Sequence, residues 1–211
     1  MKIALIGGSG NIGKVIFKEA LLRGHQVTAI VRDISRIESE QTNLKLVVVD
    51  IFDEENLSKA IEGNDIVISA FGPKHGEEKS LVDATKSLIN ATKKAGVPRL
   101  LSMGGAGSLL VEGKVKLVET KDFPLAWKPI ALAHAEALEY YKQEEILNWT
   151  NLSPAALIQP GKRTGNYRID ENNLIIDAKG ESHISFEDFA FAMLEEAEKP
   201  KFSRKRFTVG Y

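Results

Sequence analysis

Apolar residues fall in short runs along this chain, and those runs alternate with stretches where apolar positions recur at helical spacing. Lys2–Ile6, Gln26–Val31, Leu44–Val49, Asp65–Ser69 and Arg99–Met103 read as strands. Between them, Ile12–Arg23, Glu54–Ile61 and Glu77–Ala95 read as helices, with Asp53 as an N-cap for the second and Gly96 closing the third. Continuous apolar strands alternating with amphipathic helices predict an α/β fold. Its doubly wound, mostly parallel sheet carries helices on both faces.

The second half is less regular. Residues 104–130 contain Gly104, Gly105, Gly107, Gly113, Pro124 and Pro129, which predict a long loop with local structure bordering a site. A helix is expected from about Ile130 to Leu147, and a sixth strand within Asn151–Ile158 despite Pro154. Tyr167–Ile169 and Leu174–Ile176 flank Asp170-Glu171-Asn172-Asn173, a pattern that predicts a small hairpin. Ser185 and Asp188 fit the start of a helix over Phe186–Glu198, and Phe207–Val209 fits a last short strand.

The 211 residues are expected to form a single domain, 1–211, with a C-terminal elaboration at about 154–211 on the substrate side. A formal net charge of −1 without a long basic run argues against nucleic acid as the main partner. No apolar run is long enough to span a membrane, and the N-terminus enters a strand without a signal-peptide layout, so a cytoplasmic protein is expected. The absence of cysteine removes disulfide and thiolate chemistry. The four histidines show no metal-ligand spacing, so no metal site is expected.

The chemistry begins at Gly7-Gly8-Ser9-Gly10-Asn11-Ile12-Gly13, set directly behind the first strand. Gly7 lets the chain turn, Gly10 leaves the backbone open to a pyrophosphate, and Gly13 lets the helix pack close to the sheet. Backbone N–H groups of Ser9, Asn11 and Ile12 then face a phosphate at the positive end of a helix, with Asn11 and Lys14 side chains nearby. The spacing is GxxGxxG rather than GxGxxG; its position behind a strand and before a helix separates it from an ordinary glycine-rich turn. The expectation is a Rossmann-like, NAD(P)-binding fold. Arg32 ends the second strand where an NAD-selective site usually carries an acid, which favours NADP(H), although Asp33 keeps NAD(H) possible.

With these elements placed, the chain resembles the atypical short-chain dehydrogenase/reductases. It is most similar to their small NADH-flavin reductase-like, NAD(P)H-binding members, akin to biliverdin reductase B and NmrA-like proteins. The resemblance runs through Gly7–Gly13, Val31-Arg32-Asp33, Asp50, Ser69-Ala70-Phe71-Gly72, Ser102-Met103-Gly104-Gly105-Ala106-Gly107, Leu152-Ser153-Pro154, Gly161–Arg168 and Ile184-Ser185-Phe186-Glu187-Asp188. It implies that Asp50 and Ile51 meet adenine, although from the sequence alone Asp50 is equally a strand-end cap. It implies that Ala70, Phe71 and Gly72 border the cofactor's path, with Phe71 equally a core residue.

Ser102 and Met103, at the end of the fifth strand, are expected beside the nicotinamide, with Pro154, Ala155 and Ala156 shaping the same pocket. Ser102 resembles the serine of the usual short-chain enzymes, but a local backbone bond explains it as well. His134 is the second catalytic candidate, weighed against a packed core histidine. The usual Tyr-xxx-Lys pair is not evident: Tyr140 and Tyr141 are followed four positions on by Glu144 and Glu145, so both tyrosines read as helix packing. Arg163 and Arg168 suit either an acidic substrate or surface ion pairs, and the second reading is preferred. Phe123 and Trp127 are candidates for the walls of a planar substrate site. The resemblance implies an NAD(P)H-dependent reductase, NADPH favoured, that passes hydride to a flat conjugated acceptor such as flavin or quinone. The alternatives are a non-catalytic NADP(H) sensor that binds a protein partner and, disfavoured by the short substrate region, an epimerase or dehydratase that retains its dinucleotide.

Overall fold

The computed structural model describes residues 1–36 and 42–211. Its strands are β1 (Lys2–Ile6), β2 (Gln26–Val31), β3 (Leu44–Val48), β4 (Ile66–Ser69), β5 (Arg99–Met103), β6 (Asn148–Ser153), β7 (Leu157–Gln159), β8 (Arg168–Asp170), β9 (His183–Ser185) and β10 (Lys205–Gly210). The α-helices are α1 (Asn11–Leu22), α2 (Glu54–Ile61), α3 (Ser80–Lys94), α4 (Lys128–Gln143) and α5 (Phe186–Glu198). The main sheet has the order β3-β2-β1-β4-β5-β6-β10-β8. All neighbours in it run parallel except β8, which lies antiparallel to β10. The crossover from β3 back past β1 to β4 places a switch point above the ends of β1 and β4, where α/β folds bind ligands.

Strand alternation divides the core. Ile3 and Leu5 of β1 point toward α1 and α5, while Ala4 and Ile6 point toward α2, α3 and α4. Both faces are therefore apolar, which is why the central strands read as unbroken hydrophobic runs. Asp53 caps α2 by accepting the Asn56 N–H at 3.1 Å, and Ser185 caps α5 by accepting the Asp188 N–H at 2.9 Å. Beneath the sheet, the buried Arg99 of β5 holds the end of α5: its Nη2 meets Glu196 Oε1 at 2.6 Å, and its Nη1 donates to the Glu196 carbonyl at 2.8 Å.

Three expectations change. The strand expected within Asn151–Ile158 ends at Ser153, because Pro154 has no N–H to continue the ladder; Leu157–Gln159 instead pairs with β9 in a separate two-stranded sheet. The Tyr167–Ile176 hairpin does not form. Arg168–Asp170 pairs with β10, while Asp170 Oδ1 takes the N–H groups of Asn172 and Asn173 at 2.7 Å each, and Leu174 turns away to bond with Leu110. The helix expected from Ile130 starts at Lys128, since Pro129 is well suited to a first turn whose N–H groups need no partner. It ends at Gln143, and the Glu144 carboxylate then accepts the N–H groups of Ile146 and Leu147.

Candidate functional site

The turn after β1 is built by glycines that touch other backbone. Gly7 has φ +79°, and a Cβ there would lie 2.7 Å from the Ala70 carbonyl oxygen at the end of β4. A Cβ on Gly13 would lie 2.0 Å from the Gly7 carbonyl oxygen, so α1 sits directly against the turn. Gly10 differs: its Cβ would meet just the Gly7 oxygen, at 3.3 Å, and Gly10 is exposed. The first bond inside α1 runs from the Lys14 N–H to the Gly10 carbonyl at 2.9 Å. The Asn11, Ile12 and Gly13 N–H groups therefore have no acceptor within the helix, and its first turn holds no acidic residue. This is an anion-binding helix start.

A cleft of about 320 Å³ opens beside it. Of the residues expected at the cofactor, Gly7, Ser9, Gly10, Asn11, Arg32, Ile51, Ala70, Phe71 and Gly72 line this cleft. Ile12 and Gly13 stand behind the lining, Ile12 half-buried against the core and Gly13 buried. Asp50 is exposed at the rim, and its Oδ1 accepts the Phe52 N–H at 3.1 Å, the strand-end cap that the sequence also allowed. Arg32 is exposed and makes no hydrogen bond or ion pair with the described residues, which leaves its guanidinium available. Ile30, Val31 and Val49 complete an apolar floor; Val31 belongs to the resemblance, while Ile30 and Val49 were not singled out, and their signal was their place at strand ends. These features fit a dinucleotide: open N–H donors and a Cβ-free Gly10 for pyrophosphate, apolar side chains for a base, and the Arg32 guanidinium, unpaired among the described residues.

Ser102, Met103 and Pro154 lie beyond this cleft, at the ends of β5 and β6. Ser102 is 4% exposed, and its Oγ accepts Asn151 Nδ2–H at 2.8 Å. Tyr141 of α4 places its hydroxyl against Ser102 and Thr85; burial pushes that phenol up to about 12, with the two hydroxyl contacts pulling the other way. His134 shares a cavity of about 10 Å³ with Phe71, Met103, Tyr141 and Asn151, and burial pulls its pKa down to about 4, so the imidazole is neutral at pH 7. Asn151, bonded to Ser102, and Tyr141 line one small cavity with His134; sequence reasoning assigned Tyr141 to helix packing and did not single out Asn151.

The loop after β5 is packed down. Cβ atoms on Gly104, Gly105 and Gly107 would lie 2.2 Å from Asn151 Oδ1, 2.8 Å from His134 Cβ and 2.7 Å from Ala131 Cβ. Farther out, Phe123 is half-buried, while Trp127 and Lys128 are exposed at the start of α4. Arg163 pairs with Glu19 at 3.0 Å and lies 4.4 Å over the Phe191 ring, and Arg168 bonds to the carbonyls of Ile176 and Tyr211. Arg163 thus makes the surface ion pair preferred from sequence, whereas Arg168 is held by backbone carbonyls. Asp188 lies buried beneath the 161–166 loop. Burial raises its pKa, but bonds from Thr164, Gly165 and Tyr211 outweigh burial and hold the carboxyl below its usual range. Among the described residues, Asp177, Glu181 and His183 bring possible metal-ligating atoms within 4.8 Å of one another; Asp177 Oδ1 there accepts the N–H groups of Lys179 and Glu181 and closes a surface turn. No described helix is long and apolar enough to cross a membrane.

Residues 7–200 match the model of the NAD(P)H-binding family, and the chain belongs to that family. The chain is 44% identical over 212 residues to the uncharacterized protein YwnB of Bacillus subtilis, covering 99% of this chain and 98% of YwnB. Among solved structures, it is similar to a Bacteroides thetaiotaomicron protein described as a "putative epimerase", with 40% identity, a TM-score of 0.94, and coverage of 100% of this chain and 96% of that one. It is also similar to a Streptococcus pneumoniae protein described as a "putative NADH-flavin reductase", with 37% identity, a TM-score of 0.86, and coverage of 100% and 99%. The chain is a Rossmann-fold protein of an NAD(P)H-binding, oxidoreductase-like family related to flavin reductase- and epimerase-like proteins.

Proposed function

We propose that this NAD(P)H-binding protein is a reductase, with NADPH favoured, that passes hydride to a flat conjugated acceptor such as a flavin or quinone. The observation that carries this reading is the contrast between the two ends of the site. The pyrophosphate end has open N–H donors and an Arg32 without a partner among the described residues, whereas the end near Ser102 has buried groups already bonded to one another. Such a site is suited to holding and orienting two partners more than to driving a proton transfer. The reduced nicotinamide supplies the hydride when bound.

In this reading, Ser9, Gly10, Asn11 and Ile12 hold the pyrophosphate and Arg32 takes the 2′-phosphate. Ile51 packs on adenine, Asp50 accepts from its amino group, and Ala70, Phe71 and Gly72 line the path toward Ser102, Met103 and Pro154. His134, kept neutral, excludes water instead of carrying charge. A flavin or quinone suits this arrangement because its conjugated rings take up the electron pair and its proton can come from solvent. The whole chain, 1–211, acts as one NAD(P)-binding domain, with the segment from about 154 bordering the acceptor. The subfamily is that of biliverdin reductase B and NmrA-like proteins.

The same buried group favours a second reading, a cofactor sensor without turnover. NADPH oxidation measured against flavins and quinones, with no-protein and no-acceptor controls, separates them. Saturable, acceptor-dependent oxidation supports the reductase; tight NADPH binding without turnover across the panel refutes it and supports the sensor.

A further inference from the structure

Three hydroxyl side chains of α3 are buried, and two of them bond as helical hydroxyls usually do. Thr85 Oγ1 donates to the Leu81 carbonyl at 2.9 Å and Thr92 Oγ1 to the Leu88 carbonyl at 2.6 Å, each one turn back in the same helix. Ser87, 4% exposed, departs from this: its Oγ leaves the helix and donates to the Ile51 carbonyl at 2.5 Å, 36 residues away. That carbonyl belongs to the central peptide of a tight turn, which the Asp53 N–H closes by donating to the Asp50 carbonyl at 3.0 Å. The N–H on the same peptide is that of Phe52, and it donates to Asp50 Oδ1 at 3.1 Å. Both ends of one peptide are therefore held, one by Ser87 and the other by Asp50. The hold matters because such turns have two forms, related by turning over the central peptide with the closing bond intact.

The turn borders the cleft. Ile51 lines it, Asp50 stands exposed at its rim, and the Phe52 ring meets the cleft-lining Phe71 edge-on, with centroids 6.2 Å apart. We infer that Ser87 is a positioning residue for recognition of the cofactor's base: by holding the Ile51 carbonyl it keeps the Phe52 N–H on Asp50, and so fixes the carboxylate that selects the base. With Oδ1 engaged by Phe52, Oδ2 is the oxygen offered to an amino group. Turning the peptide over would carry the Phe52 N–H away from Asp50 and leave the Ser87 hydroxyl without its acceptor, a costly loss for a buried group. Ser87 stands behind the turn and does not line the cleft, so it acts through Ile51 and Asp50. The consequence for binding rests on the placement of adenine beside Asp50 and Ile51 proposed above. A base with an exocyclic amino group is then preferred over one with a carbonyl oxygen at that position, and the preference depends on a helix hydroxyl outside the cleft.

Ser87→Ala removes the hydroxyl and keeps a good helix former, so α3 should stay folded. Amide hydrogen exchange in the intact protein without ligand reads the turn directly. In Ser87→Ala the Phe52 amide should exchange at least about tenfold faster, whereas the Asp53 amide, whose bond closes either form of the turn, should keep its rate. Fluorescence titration then reads the base, with NADPH and with its hypoxanthine analogue, which has a carbonyl oxygen in place of the amino group. The unaltered protein should prefer NADPH, and Ser87→Ala should lose about fivefold of that preference, the worth of one neutral hydrogen bond. A general weakening of the fold would lower both affinities together and leave their ratio unchanged. An unchanged Phe52 exchange rate overturns the inference, as does a faster rate with an unchanged ratio. Phe52 and Asp53 amides that speed up together, meaning loss of the whole turn, also overturn it. If the alanine variant does not fold, Ser87→Cys, which keeps a weaker donor of similar size, is read by the same criteria. Equal binding of both dinucleotides by the unaltered protein would instead count against adenine beside Asp50, and the exchange rates alone then support or overturn the hold of Ser87 on the turn.

Discussion

Gly13 and Gly10 sit three residues apart in one motif, yet their surroundings differ enough to separate folding from binding. In Gly13→Ala the new methyl would stand 2.0 Å from the Gly7 carbonyl oxygen and 2.8 Å from its carbon. Both atoms are backbone, and Gly7 is itself fixed against Ala70, so α1 must withdraw by roughly 1 Å to restore a normal carbon–oxygen contact. Overpacking of this kind costs about 1–3 kcal/mol, and the shift here is at the upper end because no flexible side chain can give way. Helix propensity offsets at most about 1 kcal/mol of it. The expected net loss is about 2 kcal/mol, or a fall of roughly 4–8 °C in Tm for a chain of this size. Gly10→Ala meets only one atom, at 3.3 Å, and should keep its Tm within about 2 °C, since alanine is merely a poorer cap than glycine. Its methyl projects from an exposed cleft-lining position where pyrophosphate should approach, so NADPH affinity should fall at least about tenfold, or 1.4 kcal/mol. Thermal melts and NADPH fluorescence titrations of both variants read the two effects. A Gly13→Ala protein with an unchanged melt, or a Gly10→Ala protein with unchanged affinity, refutes the reasoning at that position.

Arg32→Asp should weaken NADPH at least about tenfold more than NADH, because a charge-assisted bond to the 2′-phosphate is worth about 1.5–3 kcal/mol; equal losses by titration would remove Arg32 from that role. Arg99→Met leaves Glu196 buried without its cation and should lower stability by about 3–5 kcal/mol in urea unfolding. A loss below about 1 kcal/mol would mean the pair is solvated. His134 should titrate in the folded protein near 4, far below the ordinary histidine value of 6.5, because burial penalises its charge. The unfolded chain then binds more protons between those values, so the stability from His134 is complete above about pH 6.5 and is lost as pH falls toward 4. An NMR midpoint for the His134 ring near 6.5 would contradict this.

The first half of the fold was legible because each signal there is local. Strand β1 is an apolar run from Ile3 to Ile6, β2 and β5 are mostly apolar and buried on both faces, and Asp53 marks the start of α2 through a bond three residues away. The second half depends on partners distant in sequence. Nothing between Tyr167 and Ile176 says that Arg168–Asp170 will pair with Thr208–Gly210, because a strand's partner is selected by the edge that β10 leaves open, not by the turn beside it. The hairpin reading saw a real turn, closed by Asp170, and gave it the wrong neighbours.

The site divides in the same way, and the division has a physical origin. Phosphate recognition uses backbone, so the glycines that permit it are written in the sequence at fixed spacing. The environment of Ser102 uses side chains from α3, α4 and β6, brought together by tertiary packing alone. Tyr141 shows what spacing can hide. No lysine follows it by four residues, so a motif search discards it, yet its hydroxyl meets the serine at the end of β5. What replaces the absent cation is burial, which drives the phenol up instead of down and suits Tyr141 to holding a proton in place. Held protonated, Tyr141 is not the low-pKa tyrosine that a Tyr-xxx-Lys pair supplies. Around Ser102 the character of each group is therefore set as much by burial, which raises the Tyr141 phenol and lowers the His134 imidazole, as by which residues are present.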